Sequence, residues 1–152
     1  MEYHKDFAEL CSLLNAKAVN YLIVGGYAVA FYGSPRFTGD LDILVQPTLH
    51  QISLVLQAVK EFGFPIDQVE PDDLLSSNRM LQLGRVPVQI HIMTNISGVS
   101  WDTAWSSRRP GIYGNASVHF IGLNVLLENK RAAGRPKDLA DLDALGSHGE
   151  NQ

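Results

Sequence analysis

The stretch from Tyr21 to Val45 constrains the fold more than any other part of the chain. Tyr21–Val24 is a short apolar run, Gly25-Gly26 follow at once, the next residues through Tyr32 are apolar or small, and Gly33-Ser34-Pro35 break the pattern. A strand that runs into a glycine turn and then a helix is half of an α/β unit. Its glycines let backbone N–H groups at the helix start approach an anion closely. The loop 36–39 then leads into Asp40-Leu41-Asp42-Ile43-Leu44-Val45, which is β-rich and alternates at its start. Residues two apart on a strand share a face, so the Asp40 and Asp42 carboxylates stand side by side. Two like charges held together call for a cation. Hard divalent ions such as Mg²⁺ take carboxylate oxygens and keep positions for water and substrate phosphates.

Composition bounds what surrounds this unit. At 152 residues, 45% hydrophobic and 18% charged, the chain has the material for one core and too little charge for disorder. The 12 basic and 16 acidic residues leave a formal charge of -4, so nothing global draws it to nucleic acid or anionic lipid. No run reaches the ~18 apolar residues of a membrane span. The start, MEYHKDFAEL, reads as a charged helix rather than a leader, so a cytoplasmic protein is expected. The one cysteine, Cys11, excludes an intrachain disulfide and a cysteine metal cluster. It falls in register with Phe7, Leu10 and Leu14, the pattern of a buried helix face, and reads as core.

The remaining elements follow from periodicity and punctuation. Residues 5–18 read as an amphipathic helix, and Pro47-Thr48 offer an N-cap to a helix over Leu49–Phe62 that Gly63 and Pro65 end. Residues 66–78 are acidic and polar, with a helical turn over DDLLS, and Asp67, Glu70, Asp72 and Asp73 read as solvated charges. Residues 80–83 and 86–93 read as a hairpin around Gly84-Arg85. A short helix over 97–107 puts Trp101 and Trp105 on one face, where core packing is the default reading. A strand region over 111–121 turns at Gly114-Asn115, and two helices, Leu123–Ala133 and Pro136–Leu145, are divided by Gly134. The expected fold is α/β (α+β): a small mixed sheet of four to five strands with helices mainly on one face. The expected organisation is one domain over 1–146 and a disordered tail over 147–152.

The combination of Val24-Gly25-Gly26, thirteen intervening residues and Asp40-Leu41-Asp42-Ile43 resembles the polymerase-beta-like nucleotidyltransferase superfamily. The stretches FYGSPRFTGDLDILV, ISGVSWDTAW and LLENKRAAGRPKDLADL look closer still to a branch of small bacterial stand-alone proteins related to AbiEii-type abortive-infection toxins. The resemblance covers roughly residues 19–145. It implies a nucleoside triphosphate with its phosphates at Gly25 and Gly26, and Mg²⁺ or Mn²⁺ held at Asp40 and Asp42. A nucleotidyl group would pass to a hydroxyl on a small molecule, a tRNA end or a protein. It also implies phosphate contacts from Arg36, Thr38 and Lys130, and leaves room for a protein partner of a toxin–antitoxin kind. The cluster Lys130, Arg131, Arg135, Lys137 reads equally as a cover for phosphates or a nucleic-acid acceptor, and as a solvated helix face beside Asp138, Asp141 and Asp143.

One departure stands out against that resemblance. A third carboxylate is expected where this chain has His91, within Val88-Gln89-Ile90-His91-Ile92-Met93. An imidazole ligates Mn²⁺, Zn²⁺ or Ni²⁺ and serves as a base near neutral pH, but suits Mg²⁺ poorly. Three accounts are open: a metal ligand or base in an altered site, a relic in a nucleotide-binding module that does not transfer, or a packing histidine outside the site. The second makes the chain a regulatory, antitoxin-like module in place of an enzyme.

Overall fold

A computed structural model describes residues 4–33, 39–76, 80–85 and 88–149. Arg36 and Thr38, and the Val86-Pro87 start of the expected hairpin strand, lie outside the described residues. The elements are α1 (Lys5–Ala16), β1 (Tyr21–Val24), α2 (Gly25–Phe31), β2 (Asp40–Val45), α3 (Leu49–Phe62), α4 (Pro71–Leu75), β3 (Leu81–Arg85), β4 (Val88–Met93), α5 (Trp101–Ser106), β5 (Arg109–Tyr113), β6 (Ala116–Phe120), α6 (Leu123–Ala133) and α7 (Pro136–Gly149).

Among the described residues one mixed sheet of six strands runs in the order β3-β4-β2-β1-β6-β5. The neighbours β1/β2, β3/β4 and β5/β6 are antiparallel, while β2/β4 and β1/β6 are parallel. The sheet has one strand beyond the expected range because Arg109–Tyr113 and Ala116–Phe120 form two strands around Gly114. Helix backbone continues to Gly149.

Alternation along the central strands sorts the core from the site. Leu41, Ile43 and Val45 of β2, with Ile90 and Ile92 of β4, turn to one face and are buried. Phe7, Leu10 and Leu14 of α1 and Val55 and Val59 of α3 join the same core. Cys11 is buried among them, and loss of solvation pushes its thiol up to about 11, which keeps it a neutral filler at physiological pH. Asp40 and Asp42 turn to the other face, toward the corner between α6 and α7. No helix among the described residues is long and apolar enough to cross a membrane.

Candidate active site

Three neighbouring strands build the site. The antiparallel register sets Val24, the last residue of β1, opposite Asp42, so the glycine pair begins beside the second aspartate. The parallel register sets Asp40 opposite Gln89 and Asp42 opposite His91. Register partners on adjacent strands share a face, and this delivers the imidazole to the carboxylate. His91 Nδ1 lies 2.9 Å from Asp42 Oδ1, and Nε2 lies 3.3 Å from Gln89 Oε1.

Gly25 has φ +65°, and a Cβ there would collide with the Asp42 carboxylate, Oδ2 first. Both facts require glycine: the left-handed backbone and the close approach of a side chain. The pair is the first turn of α2 itself, whereas the sequence suggested a turn ahead of the helix. Gly25 is half-buried and Gly26 is buried.

These groups open into a polar cavity of about 610 Å³. Gly25, Gly26, Asp40, Asp42, His91 and Lys130 all line it. The lining also includes Met80, Met93, Asn95 and Asn129, which composition and spacing gave no reason to single out. Asn129 Nδ2 donates to the Ser97 carbonyl at 3.0 Å, tying α6 to the turn after β4. The acids Asp67, Glu70 and Asp72 are exposed and line none of it.

Lys130 is 4% exposed, with Nζ 3.2 Å from Asp138 Oδ1 and 3.1 Å from Asp141 Oδ2. Its ammonium is therefore engaged by two buried carboxylates at the cavity wall, and it is not a solvated surface charge. Asp138 also accepts from Arg135 Nε at 2.6 Å and from the Arg135 backbone N–H at 3.1 Å, a cap on the first turn of α7. Burial opposes ionisation of Asp138, but hydrogen bonds from Arg135 and Lys130 outweigh it and hold its carboxyl down at about 2. The corner so fixed presents Arg135 and Lys137 to the cavity.

At Asp42 the balance goes the other way. Burial raises its carboxyl above the ordinary value, the charge and hydrogen bond of His91 oppose this, Asp40 adds to the rise and Lys137 reduces it. A carboxylate kept partly desolvated beside a second one is poised for a cation. Asp40 and Asp42 fit a hard ion that draws its remaining ligands from water and phosphate. Among the described residues no three His, Cys, Asp or Glu side chains form a set able to hold a metal. The Nδ1 atom of His91 is paired with Asp42 Oδ1.

Trp101 and Trp105 stack on each other at 5.2 Å, and the Arg108 guanidinium lies 4.1 Å from the Trp105 ring centre. Both are half-buried and pack against the core, as the sequence reading expected.

No protein-family model matches the chain, and no curated protein matches it. Solved structures do. The lincomycin-bound lincosamide antibiotic adenylyltransferase LnuA is similar with a TM-score of 0.62 at 14% identity, over 97% of this chain and 99% of that one. A proposed nucleotidyltransferase from Thermotoga maritima gives 0.61 at 15% identity, over 96% and 91% of the two chains. An antigenic nucleotidyltransferase-like protein from Paracoccidioides brasiliensis gives 0.58 at 16%, over 91% and 73%. The architecture is thus the nucleotidyltransferase fold.

Proposed function

We propose that the chain binds a nucleoside triphosphate in this cavity and, with Mg²⁺ or Mn²⁺, transfers its nucleotidyl group to a hydroxyl acceptor. The observation that carries the reading is the meeting of the Gly25 turn with the Asp40–Asp42 pair inside one polar cavity. Its volume of about 610 Å³ sits within the range of ligand pockets, roughly 300–1,000 Å³. Backbone N–H groups of Gly25 and Gly26 bind phosphate oxygens, and Arg135 and Lys137 offset the charge of the departing pyrophosphate. A divalent ion at Asp40 and Asp42 would supply charge neutralisation at the phosphate under attack. Asp42 Oδ1 fixes the imidazole through Nδ1, and His91 Nε2, 3.3 Å from Gln89 Oε1, takes the proton of the acceptor hydroxyl once that amide turns away. Arg36 and Thr38 belong to the same proposal as phosphate contacts from the loop before β2. The resemblance to AbiEii-related proteins and a protein partner of toxin–antitoxin type rest on the sequence stretches quoted above, and a cytoplasmic setting belongs to the same proposal. One fold neighbour is an antibiotic adenylyltransferase, which supports a small molecule as one acceptor class, beside a tRNA end or a protein hydroxyl.

A second reading, a nucleotide-binding or regulatory module without transfer, is favoured by His91 at the position where a third carboxylate is expected. Transfer from α-labelled triphosphates with each metal, alongside calorimetric binding, separates the two. The transfer reading expects incorporation that falls on the order of a hundredfold or more in Asp42→Ala. Binding without incorporation supports the module, and a folded protein that binds no triphosphate with either metal ends both.

A further inference from the structure

We infer that the carboxylate pair takes one divalent cation, not two, and takes it jointly with triphosphate; the inference rests on the nucleotide-binding reading above. The structure commits the two oxygens of Asp42 in opposite directions. Oδ1 meets His91 Nδ1 at 2.9 Å. Oδ2 is the atom nearest to where a Cβ on Gly25 would stand, so it faces the glycine turn. A carboxylate that bridges two cations gives an oxygen to each, and here one oxygen is already occupied by an imidazole.

Among the described residues that line the cavity, no further carboxylate makes up the deficit. His91 Nε2 faces the neutral Gln89 amide, and the buried carboxylates Asp138 and Asp141 hold Lys130. No set of three potential ligands exists among the described residues. An Mg²⁺-type ion wants octahedral oxygen ligation and usually completes a short carboxylate set with substrate phosphates. The free oxygen of Asp42 lies against the backbone that would carry those phosphates. Cation and triphosphate therefore complete each other's site, and each raises the affinity of the other by the same factor.

The test is a Mn²⁺ titration of the full chain, read by electron paramagnetic resonance, with and without a non-hydrolysable triphosphate analogue. The expected result is one Mn²⁺ per protein-bound analogue, and binding of Mn²⁺ alone at least tenfold weaker. Two Mn²⁺ per bound analogue overturn the inference while leaving the nucleotide reading intact, as does equally tight Mn²⁺ binding without analogue. Failure to bind analogue at all removes both. His91→Asp is expected to raise the count from one to two, and a folded variant that still binds one overturns the role given to His91. The wild-type stoichiometry decides the matter even if that variant does not fold.

Discussion

Burial sets the character of Asp42, and the sign of its effect on stability follows. Its carboxyl is raised above the ordinary 3.8 by desolvation, against the pull of His91. The native state then holds its proton to higher pH than the unfolded chain does. Stability from this group is full below the ordinary value and is lost as pH rises through the raised one. Asp42→Asn keeps an acceptor for His91 and removes the buried charge, so the variant should melt higher than wild type at neutral pH and lack that loss. Parallel melting curves from pH 3 to 8 would refute this. Gly25→Ala meets both a left-handed backbone and the Asp42 carboxylate, and should cost about 1–3 kcal/mol in urea denaturation. An unchanged midpoint would show that the turn relaxes freely. The meeting of Gly25, Asp40 and Asp42 at one cavity was legible because strand alternation and glycine turns are local properties. The engagement of Lys130 was not, because its partners Asp138 and Asp141 arrive only when α7 folds back along α6. Nor could the sequence tell which atom of Asp42 the imidazole would occupy.

Elements with their own punctuation could be read closely. Helix α3 has its expected bounds because the Thr48 side chain accepts from the Gln51 N–H at 3.2 Å and Gly63 ends it at φ +113°. Helix α2 differs at its start, since Gly25 and Gly26 enter the helix where their freedom argued for a turn. β5 and β6 merged in the reading because the Arg109-Pro110 start of β5 carries no strand pattern, and its register against β6 makes it a strand. The α6–α7 corner depends on one residue. Asp138 is fully buried and bound by Lys130 and Arg135, so Asp138→Ala should cost roughly 3–5 kcal/mol by leaving a buried ammonium short of a partner. Because its carboxyl is held down at about 2, its contribution is full above 3.8 and fades as pH falls from there toward 2. The acid limb of wild-type denaturation should therefore be steeper than that of Asp138→Asn between those values. Equal slopes, followed by circular dichroism, would mean that the corner does not titrate with the fold.

At the scale of the molecule, ligand binding should appear as stability. A triphosphate with Mg²⁺ at a hundred times its Kd adds about 2.7 kcal/mol by mass action. For a domain of this size that is a rise in Tm of roughly 5–11 °C. Asp42→Ala should abolish most of it, and a shift of equal size in that variant would put the ligand elsewhere. The strand order carries another consequence, for the route by which the chain folds. The edge hairpins β3–β4 and β5–β6 close over short loops, but the parallel joints link Asp42 to His91, 49 positions apart, and Ile23 to Phe120. Long loops must lose their entropy before such joints give anything back. A partly folded chain would therefore hold both hairpins while the aspartate and histidine are still apart. Competence to bind nucleotide should appear only in the slowest refolding phase, after most of the secondary structure has formed.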